Sequence, residues 1–136
     1  MNTEATEFAT QLAHYYGSEK LFRHPVALPN SPKLIYTQGV EYFLEQCGGG
    51  AYWFADIIAT EVLPWQEREE YIVIKMVVAD EQATITADDG DNNVFWKRDI
   101  NYTDAFDGEW KFYLIKSDSP ITTGGAYSTF LLPREY

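Results

Sequence analysis

Basic residues, cysteine, histidine and long apolar runs are all scarce in this chain, and each scarcity excludes something. Cys47 is the one cysteine, so no internal disulfide can form. A lone thiol fits a reducing compartment. No apolar stretch approaches the roughly 20 residues needed to span a membrane. The opening MNTEATEFATQL has neither the basic start nor the apolar run of a secretory signal. A cytoplasmic protein with no membrane partner is therefore expected, and the sequon Asn101-Tyr102-Thr103 carries no meaning there. Ten Lys and Arg stand against 21 Asp and Glu, a net charge of −11. That field repels phosphate, so direct nucleic-acid binding is not expected.

Motifs for the common chemistries are also missing. His14 and His24 are the only histidines, and no HxH, HExxH or CxxC spacing accompanies them, so no metal is expected. GxSxG is absent, and Cys47 falls on the apolar side of a predicted helix with no base near it. The glycines of CGGGAYW lack both GxGxxG spacing and a following GK[ST], and read as a breaker between helices. DDGDNN lacks the order and the closing glutamate of a calcium loop, and reads as a hairpin turn. No catalytic residue and no cofactor are assigned, and an enzyme is not the favoured reading.

What is abundant is aromatic side chain, 16% of 136 residues. Disordered chains are poor in aromatics. A chain this long buries about two-thirds of its surface on folding. One domain spanning 1–136 is expected.

Helical periodicity comes first. Phe8, Leu12 and Tyr15 share a face over residues 4–15, with Thr3 as the cap and Gly17 as the stop. Pro25, Pro29 and Pro32 make residues 17–33 a loop, with a short strand at Leu34-Ile35-Tyr36. Thr37 caps a second helix whose apolar face is Val40, Phe43, Leu44 and Cys47. A third helix runs from about 51 to 62 and is stopped by Pro64. From Tyr71 the pattern alternates. It predicts strands at YIVIKMVVAD, ATITAD, VFWKRDINY, EWKFYLIK and YSTFLLP. The fold class expected is α+β: three N-terminal helices on one face of a C-terminal antiparallel meander of four to five strands.

On a helical wheel Phe54, Ala55, Ile58, Ala59 and Val62 fill one arc of the third helix, and Trp53 and Ile57 lie opposite. Asp56 and Thr60 share a narrow stripe between them. A helix apolar nearly all round is covered on several sides, so Asp56 is expected to be enclosed. It then needs donors: the Thr60 hydroxyl, the backbone of the YYGSEK loop over 15–20, Arg23 or His24. Two roles follow, an acid/base or a structural clasp, and the clasp is favoured.

Several segments together resemble a family of small acidic bacterial and phage proteins known as a domain of unknown function. They are Gly17, Ser18, Glu19, Arg23 and His24 in one loop; Tyr36, Thr37, Gly39 and Val40; Tyr52, Trp53, Asp56 and Ile58; the DG hairpin; and the closing LLPREY. VALPNSP and KSDSPITTGGAYS look longer than that pattern. The resemblance implies no established chemistry. It suggests a phage or mobile-element setting, in which small acidic proteins act as inhibitors of host defence nucleases, as anti-CRISPR proteins do.

Nine acids lie between Asp80 and Glu109 against Lys97 and Arg98. Solubility is the plain reading of such a run. The functional reading is a non-enzymatic inhibitor that mimics nucleic acid and binds a protein partner with a basic surface. Its expected binding residues are Asp88, Asp89, Asp91, Asp104, Asp107 and Glu109. One alternative is a small enzyme or ligand-binding domain whose polar cluster joins Glu19, Arg23, His24, Trp53 and Asp56. Another is a homo-oligomeric scaffold using an aromatic sheet face of Trp96, Tyr102, Trp110 and Tyr113.

Overall fold

The computed structural model describes residues 3–14, 21–23, 33–117 and 127–135. Helix α1 spans Thr3–Leu12. Strands β1 (Leu21–Arg23) and β2 (Lys33–Thr37) follow, then helices α2 (Gln38–Gln46) and α3 (Tyr52–Ile57). The chain continues from α3 as a π-helical turn over Ile58–Val62 and a 3-10 helix over Leu63–Glu67. Then come β3 (Tyr71–Ala79), β4 (Gln82–Asp88), β5 (Val94–Ile100), β6 (Gly108–Ser117) and β7 (Tyr127–Leu131), and a final 3-10 turn at Pro133–Glu135.

All seven strands form one mixed sheet, in the order β1-β2-β7-β6-β3-β4-β5. This corrects the expected architecture. The helices are not N-terminal to a small meander, because two strands precede α2 and extend the same sheet. β2 runs parallel to β7, pairing Leu34 with Ser128 and Tyr36 with Phe130. Only β3, β4 and β5 follow one another as a meander. The loop after β5 then carries the chain back to the other side of β3, where β6 pairs Ile74 with Phe112. Prolines argue against helix but not against extended backbone, so they leave room for the strands β1 and β2 that lie before Pro25 and after Pro32.

The third helix keeps its expected span, as an α-helix over Tyr52–Ile57 and a π-helical turn to Val62. Pro64 ends that span without ending helical backbone, since proline is tolerated in a first helical turn, where its missing N–H has no partner to lose. It sits at the start of the 3-10 segment. Of the loop expected over residues 17–33, Leu21–Arg23 form β1 and Lys33 opens β2; Tyr15, Gly17 and the rest of that loop lie outside the described residues.

One face of the sheet buries Ile72, Ile74, Met76, Val78, Ile85, Phe112, Leu114 and Phe130 against the helices. The wheel arc of the third helix is there as expected: Phe54, Ala55, Ile58, Ala59 and Val62 are all buried. Phe43, Phe54, Phe112 and Phe130 interlock across the two layers, with ring centroids 4.9 to 6.1 Å apart. Burying each ring contributes about 1.5–3 kcal/mol. α1 is docked by Phe8, whose ring meets Tyr42, Phe43, Phe106 and Trp110.

The proposed aromatic sheet face does not exist as one surface. Trp110 pairs with Met76 on the helix-covered side, whereas Tyr113 pairs with Val73 on the opposite side, against Tyr71. Tyr102 lies past the end of β5. The odd spacing from 110 to 113 puts those two rings on opposite faces of one strand.

A buried polar group ties the helical layer to the sheet. Gln66 is fully buried. Its amide nitrogen donates to the carbonyls of Glu69 (2.7 Å) and Glu70 (3.2 Å), and its carbonyl accepts the Ser128 hydroxyl of β7. Each polar atom finds a partner, as a buried amide requires.

Candidate functional site

β3 and β4 are joined by two residues, Asp80 and Glu81, because Ala79 pairs with Gln82. Both turn residues are left-handed, with φ of 53° and 64°. Such a two-residue hairpin favours Asn-Gly or Asp-Gly. Asp80 therefore suits its position, and the departure is Glu81, where glycine would avoid left-handed strain. Both side chains are exposed.

The loop from 101 to 107 is fastened onto this turn. The Thr103 amide donates to the Glu81 carbonyl (2.9 Å), and the buried Thr103 hydroxyl accepts the Ala105 amide (3.1 Å). Asp104 accepts the Gly49 amide through Oδ2 (2.9 Å). The Phe106 carbonyl accepts the Trp110 indole N–H (2.9 Å). Gly48 and Gly49 let the loop lie directly on the end of α2. A methyl group at Gly48 would fall 2.7 Å from the Asp104 carbonyl carbon.

Asp80, Glu81, Asp104 and Asp107 thereby rim one hollow of about 500 Å³, floored by Gly48 and Gly49. Asp107 and Glu109 continue the acidic rim into a groove of about 850 Å³ beside α1, lined by His14 and Trp110. Cys47 lies beneath this end. Burial pushes its thiol up to about 11; a backbone hydrogen bond with Phe106 lowers it and the Asp104 charge raises it. We expect native Cys47 to resist a thiol reagent at pH 8, and to react fully only in denaturant. Fast native labelling would contradict this packing.

The acidic window divides in space. Asp104, Asp107 and Glu109 join Asp80 and Glu81, which the expected set omitted. Asp88, Asp89 and Asp91 lie at the other end of β4, about 20 Å away for a strand of this length. Asp88 is not a surface residue: it is 4% exposed, and Oδ1 accepts the Gly90 amide (2.8 Å). Asp89 is a turn acceptor as well. It takes the Asp91 amide, the Asn93 amide and the Asn93 side chain. The Asn93 side chain and then the Asp91 amide hold its carboxyl below the usual range. These bonds make DDGDNN a self-closed hairpin turn.

The second expected cluster is only partly within view. Glu19 and His24 lie outside the described residues. Arg23 occupies a register position opposite Ile35. Trp53 is half-buried against the core, and Asp56 is exposed, not enclosed. The wheel treated the helix as covered all round. Trp53 and Ile57 are covered only in part, and the stripe beside them stays open. Thr60 does bond to Asp56, but to its backbone carbonyl (2.8 Å).

What gathers near Asp56 is a pair of tyrosines around Glu41. The Tyr52 hydroxyl donates to Glu41 (2.5 Å). Burial, then the Glu41 charge and a hydrogen bond to it, push Tyr36 up to about 12, with Asp56 adding to the shift. Burial and Glu41 likewise push Tyr52 up. Tyr36 and Tyr52 stood in the sequence motifs, but nothing there linked them to Glu41.

Two other motifs meet directly. Glu135, in the closing LLPREY, accepts the Thr37 hydroxyl and the Gly39 amide (3.0 Å) at the start of α2, and the Leu132 amide (3.1 Å). Thr37 does hold the cap position, yet the carboxylate that caps α2 comes from the far end of the chain.

Among the described residues no three His, Cys, Asp or Glu side chains are placed to hold a metal ion, and no helix is long and apolar enough to cross a membrane. A family of unknown function, DUF6876, matches residues 6–136, and the chain belongs to it. No curated protein and no solved structure matches.

Proposed function

We propose that this DUF6876 protein works by binding, through the acidic end formed by Asp80, Glu81, Asp104, Asp107 and Glu109, to a basic surface of a partner protein. One observation carries the reading: Glu81 keeps a left-handed backbone, with φ of 64°, at the turn position where glycine is the usual residue. Strain kept without a packing reason marks positions selected for what they present. The loop from 101 to 107 adds further carboxylates to the same rim, pinned by backbone and side-chain bonds. A loop backbone fixed in this way has little ordering left to lose on binding.

In the phage or mobile-element setting suggested by the sequence motifs, the partner is the basic groove of a nucleic-acid-binding complex. The protein is then its inhibitor, with carboxylates standing where phosphates would lie. The test is capture of host proteins on the immobilised chain, at low and at high salt. Asp80→Lys with Glu81→Lys should lower retention by about tenfold or more, and Asp91→Lys at the other end should not. Retained partner should be displaced by added salt and by a short DNA duplex. Retention that ignores both salt and the turn substitution overturns the proposal.

A further inference from the structure

β5 ends the sheet, and among the described residues β4 is its one strand neighbour. Its open edge presents a row of backbone donors and acceptors. Lys97, Arg98 and Asp99 are all exposed. Val94 and, just beyond the strand, Tyr102 are 55% and 71% exposed. Charged side chains, Lys above all, guard an edge against unselective pairing. Here Lys97 and Asp99 carry opposite signs two residues apart, so pairing is favoured only in a register that sets one against the other.

We propose that β5 pairs antiparallel with β5 of a second copy of this chain, with Arg98 on the two-fold axis. The register follows from faces and charges. Antiparallel partners must share a face, so the pairing slides only in steps of two residues. Centred on Arg98, each Lys97 meets Asp99 of the second copy, twice by symmetry. One step in either direction opposes Lys97 to Lys97 or Asp99 to Asp99, and like charges opposite each other are unfavourable. Arg98 opposes itself on the axis, but each guanidinium is ion-paired with Glu61 of its own chain. The same register sets Trp96 against Ile100, both partly buried and packed on the core. It also brings the exposed Val94 toward Tyr102 of the second copy. The product is one continuous sheet running through both copies.

Sedimentation of the full chain should show a concentration-dependent dimer. Lys97→Asp alone and Asp99→Lys alone should each weaken it by about tenfold or more, and the double exchange should restore it. Asp99→Lys also removes the bond from Thr84 (3.1 Å), so circular dichroism should confirm that each variant is folded. A second readout fixes the register. Arg98→Cys should oxidise to a covalent dimer, because like positions face each other there. Lys97→Cys should not, because its counterpart is displaced along the strand. A monomer at about 100 µM, well above the range of a specific complex, overturns the proposal. So does a dimer indifferent to both charge exchanges, or cross-linking at position 97 in place of 98.

Discussion

Gly48→Ala is expected to destabilise the protein by about 3 kcal/mol or more, the sum of left-handed strain and overpacking. Gly48 has φ of 63°, where an added Cβ is already disfavoured. The larger part comes from the neighbour. The new methyl would press on the Asp104 carbonyl group, which is backbone. Backbone cannot swing aside like a side-chain end. Thr103 is bonded to Glu81 on one side, and Asp104 to Gly49 on the other. Moving Asp104 therefore pulls on the whole acidic rim. Gly49→Ala is the matched control. Its Cβ would meet the Asp104 carboxylate oxygen at 2.5 Å, and a carboxylate can rotate away. Urea denaturation should show a clearly smaller loss for Gly49→Ala, about 1 kcal/mol. Equal losses for the two would mean that the loop is not seated on the glycines as described. Gly48→Ala should also speed native labelling of Cys47, because the loop that covers it is displaced.

Local pattern was enough for some elements and blind to others. Val40, Phe43, Leu44 and Cys47 give α2 its periodicity, and each is buried. The β4–β5 hairpin was legible because alternating strands flank a turn whose Asp and Asn side chains satisfy their own backbone. β1 was not legible. It has three residues, Leu21 is exposed, and it exists by pairing with β2. No local signal announces that β2 will lie parallel to β7, because that pairing joins strands from opposite ends of the chain. The acidic site was half legible. The window of charge was visible, but one strand divides it between two ends of the sheet, and Asp88 spends its carboxylate on a turn. The two expected strands, one ending at Asp80 and the next starting at Ala83, left only Glu81 and Gln82 between them, and that was the available sign of a tight turn there. Asp56 failed for a different reason. A wheel reports which side chains share a stripe, and coverage of that stripe depends on neighbours that the wheel does not contain.

Glu135→Ala carries the second large expected effect, a loss of about 3 kcal/mol. Three donors lose their acceptor together: the Thr37 hydroxyl, the Gly39 amide and the Leu132 amide. Hydrogen bonds to a charged group contribute about 1.5–3 kcal/mol each when measured singly, and less when shared. Two of the three donors sit at the N-terminus of α2, where a carboxylate also gains from the helix dipole, by about 0.3–1 kcal/mol. Thr37→Val removes one donor and should cost about 1 kcal/mol. The double variant should be less destabilised than the sum, by about 1 kcal/mol, because the two residues share one bond. Gly39 belongs to the same device. A Cβ there would fall 2.5 Å from Leu132 Cδ1 and 2.6 Å from Glu135 Oε1, so Gly39→Ala should eject the carboxylate and approach the Glu135→Ala loss. Removing residues 133–136 should do the same, which makes truncation an independent check. Additive losses for Thr37→Val and Glu135→Ala would show that the two side chains act apart. The last turn of the chain would then be an appendage to α2, not its cap.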